Sequence, residues 1–184
     1  MSARAATALA AGIVALDQVT KYYAERRLAL HVPREVVGDV LRFTLTYNPG
    51  AAFGMHFGNA SRYVFTVLTF VILGFLLRLY RSLPAEERAL RLAIATVMGG
   101  AVGNLIDRFR SAAGVVDFID VGVRDARFWT FNVADSAVSV GAVLLVLLLW
   151  RYEGRVHAAQ QAAGPNAAPN TAPNAAPADE AARA

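Results

Sequence analysis

The sequence predicts a mostly helical membrane protein with about four transmembrane helices. Hydrophobic residues make up 56% of its 184 residues and charged residues only 17%, whereas about a quarter of a soluble domain is charged. Apolar runs close to the length of a bilayer crossing also recur along the chain, at about residues 5–23, 63–79, 89–106 and 133–150.

The four apolar runs differ in character. Asp17 and Lys21 interrupt the end of the first run, whereas the second is uniformly apolar and the fourth is rich in leucine. The third is rich in Gly and Ala, which lets membrane helices approach closely. The first run could also be a cleaved signal peptide with Arg4 as its basic region, but it continues past any cleavage site, which favours a retained helix.

Two long connections, residues 26–62 and 108–132, contain segments in which apolar and polar residues alternate. Residues 40–47 and 115–121 follow this period of two, which predicts half-buried strands. Asn48, Pro49 and Gly50 then end the first strand in a turn. We therefore expect a small sheet beside the helices.

The last part of the chain changes composition. From about residue 160 it consists mainly of Ala, Pro and Asn, which bury little apolar surface. This predicts a membrane domain over residues 1–159 and a disordered tail over residues 160–184.

Composition excludes several chemistries. The chain has no cysteine and three scattered histidines, so thiol catalysis and the common zinc motifs have no basis. Its formal charge of +4 comes from arginines beside apolar runs rather than from a basic stripe with aromatic residues. We expect no metal, no other cofactor and no nucleic-acid partner.

Polar residues collect at one end of the predicted helices. Ionisable groups inside a span cost several kcal/mol and by default mark a functional site. Because successive helices alternate in direction, three clusters meet at one membrane face: Asp17 with Lys21, Asn104 with Asp107 and Arg108, and Asn132 with Asp135.

Structural interpretations of these residues remain open. Asp17 and Lys21 could form an ordinary ion pair within a helix, and the asparagines could simply bond neighbouring helices. Asp135 could cap the fourth helix. Asp120 and Asp125 are expected to be solvated loop residues.

The cluster offers carboxylates, amides and a guanidinium, but no serine–histidine pair. Two aspartates brought together can share one proton, so that one activates a water molecule while the other polarises a carbonyl group. A small transporter is the main alternative, although no internal repeat is visible and the polar residues lie at helix ends. A non-catalytic membrane assembly factor is a third possibility.

Five segments resemble, in order, the motifs of bacterial lipoprotein signal peptidase (signal peptidase II). They begin with Asp-Gln-Val-Thr-Lys and occupy residues 17–21, 47–54, 103–108, 115–118 and 131–136. The resemblance implies four transmembrane helices in the bacterial inner membrane with both termini cytoplasmic. It also implies a small extracytoplasmic β-cradle from the first long connection and a short periplasmic helical segment in the second.

The resemblance further implies an aspartyl endopeptidase that removes signal peptides from diacylglyceryl-modified prolipoproteins, cutting just before the lipidated cysteine. We expect a monomer that contacts membrane lipid and is inhibited by the cyclic peptide globomycin. By motif position, Asp117 and Asp135 would be the catalytic pair. The substrate-binding or supporting residues would be Asn48, Gly50, Asn104, Arg108, Asn132, Asp17 and Lys21.

One departure from the family pattern lies between Arg108 and Asp117, where this chain is one residue longer. Gly114 could absorb the additional residue in a bulge. The register of Arg108 relative to the aspartate pair is therefore a point for the structure to decide.

Overall fold

The computed structural model describes residues 3–50 and 60–162. The end of the second motif, residues 51–54, and the predicted tail beyond residue 162 lie outside the described residues. Residues 1–149 form one compact unit, and residues 150–184 form a second unit of which the end of the last helix is described. Along the described chain the elements are α1 (Ala3–Arg27), β1 (Arg34–Val37), β2 (Leu41–Asn48), α2 (Ser61–Ser82), α3 (Arg88–Arg110), β3 (Val115–Val123), β4 (Ala126–Arg127) and α4 (Val133–Ala162).

Three of the helices are long and apolar enough to cross a membrane. They are α2, α3 and α4, with mean hydropathies of 2.0, 1.6 and 2.2 over their most apolar windows. The predicted apolar helices are therefore confirmed at these three positions, as candidates for membrane spans. Helix α1 is not among them, because Asp17, Lys21 and Glu25 lower the hydropathy of its C-terminal half.

Glycines of α3 allow its neighbours to approach closely, as the sequence predicts. A Cβ on Gly99 would lie 3.0 Å from the Ala10 carbonyl oxygen of α1. A Cβ on Gly100 would overlap the backbone of Ala134 at the start of α4. Helix α3 therefore packs against both α1 and α4, which brings their polar residues within hydrogen-bond distance.

The two long connections together form one antiparallel sheet with the strand order β1-β2-β3-β4. Strands β2 and β3 confirm the two predicted strands. The expected helical segment in the second connection is wrong, because residues 111–132 contain β3 and β4 and no helix. Valines and isoleucine at alternate positions favour a strand here, and Val116 and Phe118 of β3 pack against Ala24 and Leu45.

Asp120 is buried within this sheet, with 6% of its surface exposed. Its carboxylate accepts hydrogen bonds from Arg127 Nε at 2.5 Å, Thr44 Oγ1 at 3.0 Å and Arg42 Nε at 3.3 Å. Burial opposes ionisation, but the hydrogen bonds from Arg127 and Thr44 and the two arginine charges hold the pKa of Asp120 below its ordinary value. The expectation of a solvated residue is therefore wrong for Asp120, whereas Asp125 is exposed.

We predict that Asp120→Asn destabilises the protein by about 1–3 kcal/mol at pH 7, because an amide is a weaker partner for two arginines than a carboxylate. Thermal unfolding in detergent should show a Tm lower by about 3 °C or more. Asp125→Asn makes the same chemical change at an exposed position and should leave Tm unchanged. Equal Tm values for the two variants would contradict a structural role for Asp120.

Candidate active site

Lys21 is the most completely enclosed cation of the site. Asp17 and Lys21 lie four residues apart on one face of α1, and Lys21 Nζ lies 2.8 Å from Asp17 Oδ2 and 2.8 Å from Asp107 Oδ2. Its third hydrogen bond reaches Asn104 Oδ1 at 2.9 Å. An ammonium group has three donors, so every donor of Lys21 has an acceptor although its side chain is only 1% exposed.

Two members of this cluster, Gln18 and Asp107, were not among the predicted site residues. Gln18 Nε2 lies within hydrogen-bond distance of Asp17 Oδ2, the Gly103 carbonyl oxygen and Asp107 Oδ1, at 3.1, 3.1 and 3.3 Å. Asp107 also accepts the backbone N–H of Val116 in β3 at 3.2 Å. The sequence does indicate a place for Asp107 in the site, because it follows Asn104 by three residues and so lies on the same face of α3.

The start of α4 is capped by side chains of the same cluster. Asn132 Oδ1 accepts the backbone N–H of Asp135 at 2.8 Å, and Asp135 Oδ2 accepts the backbone N–H of Asn132 at 3.2 Å. This reciprocal pair is a capping box. Asp17 Oδ1 accepts the N–H of Ala134 at 2.9 Å, so α1 supplies a further cap.

Capping does not account for every bond of Asp135. Its other oxygen, Oδ1, accepts a hydrogen bond from Asn104 Nδ2 at 2.7 Å. Asn132 Nδ2 in turn lies 2.7 Å from Asp117 Oδ1 and 3.1 Å from Asn104 Oδ1. Asn132, with none of its surface exposed, therefore links the two carboxylates directly.

Asp117 is 3% exposed and lies on β3, outside the membrane-spanning helices. Burial, followed by the negative charge of Asp135, raises the pKa of Asp117 to about 7. Hydrogen bonds from Asn132 and Asn48 and the charge of Lys21 oppose the increase. Near neutral pH the pair can therefore hold a single proton.

Asn48 and Gly50 lie at the end of β2 beside this pair. The Asn48 side chain hydrogen-bonds Asp117, and its Oδ1 accepts the N–H of Gly50 at 3.0 Å. Gly50 has a φ of +114°, and a Cβ there would lie 3.0 Å from Ser61. A glycine is therefore required where this turn meets α2.

Arg108 lies close enough to both aspartates for their charges to act on it, and a glycine turn follows it before Asp117. Gly114 has a φ of +109°, and a Cβ at this position would overlap the Asn48 carbonyl oxygen. A glycine is therefore required at this turn, which lies against the end of β2. The charges of Asp135, Asp107 and Asp117 act on the Arg108 guanidinium, whose Nε has no hydrogen-bond partner among the described residues.

The structure therefore brings all nine predicted site residues into one region, and their catalytic or supporting roles stay predictions. Within residues 3–50 and 60–162, no group of three His, Asp or Glu side chains is arranged to hold a metal ion. The acidic groups bond to Lys21 and to amides instead.

The family profile described as signal peptidase (SPase) II matches residues 9–151. The chain belongs to the signal peptidase II family. The lipoprotein signal peptidase of Hydrogenovibrio crunogenus is 39% identical over 167 residues, covering 88% of this chain and 96% of that protein. The enzyme of Pseudomonas syringae pv. tomato is 40% identical over 142 residues, covering 76% of this chain and 82% of that protein.

Solved structures agree with this family assignment. A bacterial membrane enzyme determined at 2.3 Å resolution is 32% identical, with a TM-score of 0.73 over 81% of this chain and 89% of that one. A second, at 1.9 Å resolution, has a TM-score of 0.71. Signal peptidase II is a protease, and membership implies cleavage of prolipoprotein signal peptides by a multi-pass membrane protein. The transporter and assembly-factor hypotheses are set aside.

We predict that Lys21→Met destabilises this signal peptidase II by about 3–5 kcal/mol, because it leaves two buried carboxylates without their cation. The expected fall in Tm is about 6 °C or more. Arg26→Met is the matched control, since Arg26 is an exposed cation of the same helix that lies over the Tyr22 ring. Similar Tm values for the two variants would contradict the central role of Lys21.

We also predict that Asp117→Asn stabilises the protein at alkaline pH. A raised pKa means that the folded chain binds the Asp117 proton more tightly than the unfolded chain does. Stability therefore falls as pH rises from about 4 to about 7. Because asparagine does not titrate, Tm of the variant should equal that of the parent near pH 4 and exceed it at pH 8. Asp125→Asn should keep the parental pH dependence, and a variant less stable than the parent at pH 8 would refute the electrostatic argument.

Proposed function

We propose that the chain is an intramembrane aspartyl endopeptidase with Asp117 and Asp135 as its catalytic pair. It removes the signal peptide from diacylglyceryl-modified prolipoproteins and cuts just before the lipidated cysteine. The main support is the position of Asn132, which bonds to both carboxyl groups and brings them to one site.

The reaction proceeds from the singly protonated pair. The ionised carboxyl group accepts a proton from a water molecule that attacks the scissile carbonyl carbon, while the protonated group donates to the carbonyl oxygen. The tetrahedral intermediate then collapses as a proton passes to the leaving nitrogen. A pKa of about 7 for Asp117 supports this mechanism, because the shared proton is then held near neutral pH.

The neighbouring residues orient the pair and the substrate. Asn104 and Asn132 fix the two carboxyl groups, and Lys21 with Asp17 supports that arrangement. Arg108 offers a positive charge and a free Nε donor to the substrate backbone. Asn48 and Gly50 lie beside Asp117 at the end of β2, where they can contact the substrate.

Helix α1 is the fourth transmembrane helix in this proposal. Its 25 residues extend about 37 Å, enough to cross a bilayer. Asp17 and Lys21 are buried against the other helices, while Leu16 and Val19 are exposed and can face lipid. Four spans place both termini on one side, which the family resemblance assigns to the cytoplasm, with the sheet outside the inner membrane.

The diacylglyceryl group gives the substrate a second means of recognition. It stays in the bilayer and so holds the scissile bond at the depth of the helix end that carries Asp135. One chain supplies every site residue, so a monomer suffices, and globomycin would occupy the same site as a peptide mimic.

We predict that Asp117→Asn and Asp135→Asn each abolish cleavage of a diacylglyceryl-modified prolipoprotein, because an amide cannot exchange protons with its partner. The parent enzyme should show a bell-shaped dependence of kcat/KM on pH, since only the singly protonated pair is active. Cleavage is measured in mixed detergent and phospholipid micelles at matched protein levels, with unmodified prolipoprotein in parallel.

Asp125→Asn is the control for this assay, because Asp125 is exposed and lies in the turn between β3 and β4. It should retain nearly full activity. Substantial cleavage by either dyad variant would refute the aspartyl mechanism. Equal rates on unmodified and lipidated substrate would refute the proposed role of the lipid while leaving the dyad intact.

A further inference from the structure

A cavity lies at the membrane face opposite the carboxylate cluster. It has a volume of about 250 Å³ and is bounded by three helices. Its lining is mainly apolar and includes Ala6 and Ala10 of α1, Leu77 and Tyr80 of α2, and Ala95 and Met98 of α3. Nothing in the proposed peptidase mechanism uses this cavity.

Tyr80 lines this cavity and Arg91 packs against its ring, and each carries a polar group without a partner within the described residues. The Tyr80 hydroxyl is buried without a hydrogen bond, and so is Nε of Arg91. The Arg91 guanidinium lies over the Tyr80 ring, with its carbon 4.8 Å from the ring centroid, and its Nη2 donates to the Leu83 carbonyl oxygen at 2.6 Å. A buried hydroxyl or guanidinium N–H without a partner costs free energy, so an acceptor from outside the chain would stabilise this arrangement.

The surrounding charge indicates what kind of acceptor fits. The segment from residue 78 to residue 91 carries four arginines and only two glutamates, so this end of the molecule is positive. Basic clefts between transmembrane helices bind anionic lipid headgroups. The cavity itself is apolar and has room for part of an acyl chain, whereas a free anion would leave it unfilled.

We propose that this cavity is a binding site for an anionic phospholipid. A phosphate oxygen accepts hydrogen bonds from the Tyr80 hydroxyl and from Arg91 Nε, and the first part of an acyl chain lies along Leu77 and Met98. The lipid bridges α1, α2 and α3 and stabilises their packing. The site is separate from the aspartate pair, so its test needs no peptidase activity.

Thermal unfolding of the full chain in dodecyl maltoside tests this proposal. Dioleoylphosphatidylglycerol should raise Tm by about 3 °C or more, and dioleoylphosphatidylcholine should raise it by less than half as much. Inorganic phosphate should have no effect, because it supplies no acyl chain.

Tyr80→Phe is the most informative variant, because it should be at least as stable as the parent without anionic lipid and less stable than the parent with it. The substitution removes a hydroxyl group that has no hydrogen-bond partner. Without anionic lipid, Tm of the variant should therefore equal or exceed that of the parent. With phosphatidylglycerol it should gain less than half of the parental increase. Arg91→Gln should lose the increase as well, and if it does not accumulate, Tyr80→Phe decides the question alone.

Arg81→Gln is the charge-matched control, because Arg81 is exposed on the same segment. It should retain the full response to phosphatidylglycerol. Equal responses in the parent, Tyr80→Phe and Arg91→Gln would overturn the proposal. The proposal would also be overturned if Arg81→Gln lost as much of the lipid-induced Tm increase as Arg91→Gln, since general surface charge would then explain the binding. An equal increase with phosphatidylcholine would have the same consequence.

Discussion

The buried ammonium of Lys21 is the interaction on which the rest of the site depends. It bonds to Asp17 in its own helix and to Asp107 and Asn104 in α3. Because Asn104 gives its oxygen to Lys21, its amide nitrogen must face Asp135. Lys21 is separated from Asp135 by two hydrogen bonds through Asn104, so its charge determines how the Asp135 carboxyl group is held.

Asn132 combines a structural and a chemical task in one side chain. Its oxygen caps α4, and its nitrogen holds Asp117. The position of the helix and the geometry of the carboxylate pair cannot change independently. This coupling preorganises the pair, because the interactions that order the start of α4 also order the groups that would carry out catalysis.

Much of this arrangement can be predicted from local pattern. The apolar runs located the four helices, and the alternation in residues 40–47 and 115–121 located β2 and β3. What the sequence did not reveal is the pairing of β2 with β3, since it joins segments about 70 residues apart and brings Arg42 and Thr44 onto Asp120. Gln18 was missed for the same reason, because two of its partners, Gly103 and Asp107, lie on α3. The sequence placed Asp107 in the polar cluster, but its contacts with Lys21 and Val116 depend on pairing between distant elements.

The spacing of Asp17 and Lys21 bears on how the protein is made. Helix α1 is synthesised before α3 and α4, since Asn104 follows Lys21 by 83 residues and Ala134 follows Asp17 by 117. Until those partners emerge from the ribosome, the two charges have only each other. One helical turn apart, they form an ion pair, so that in the proposed four-span arrangement α1 enters the membrane with these two charges compensated. When α3 follows, Asp107 and Asn104 bond to a Lys21 ammonium that is already paired with Asp17.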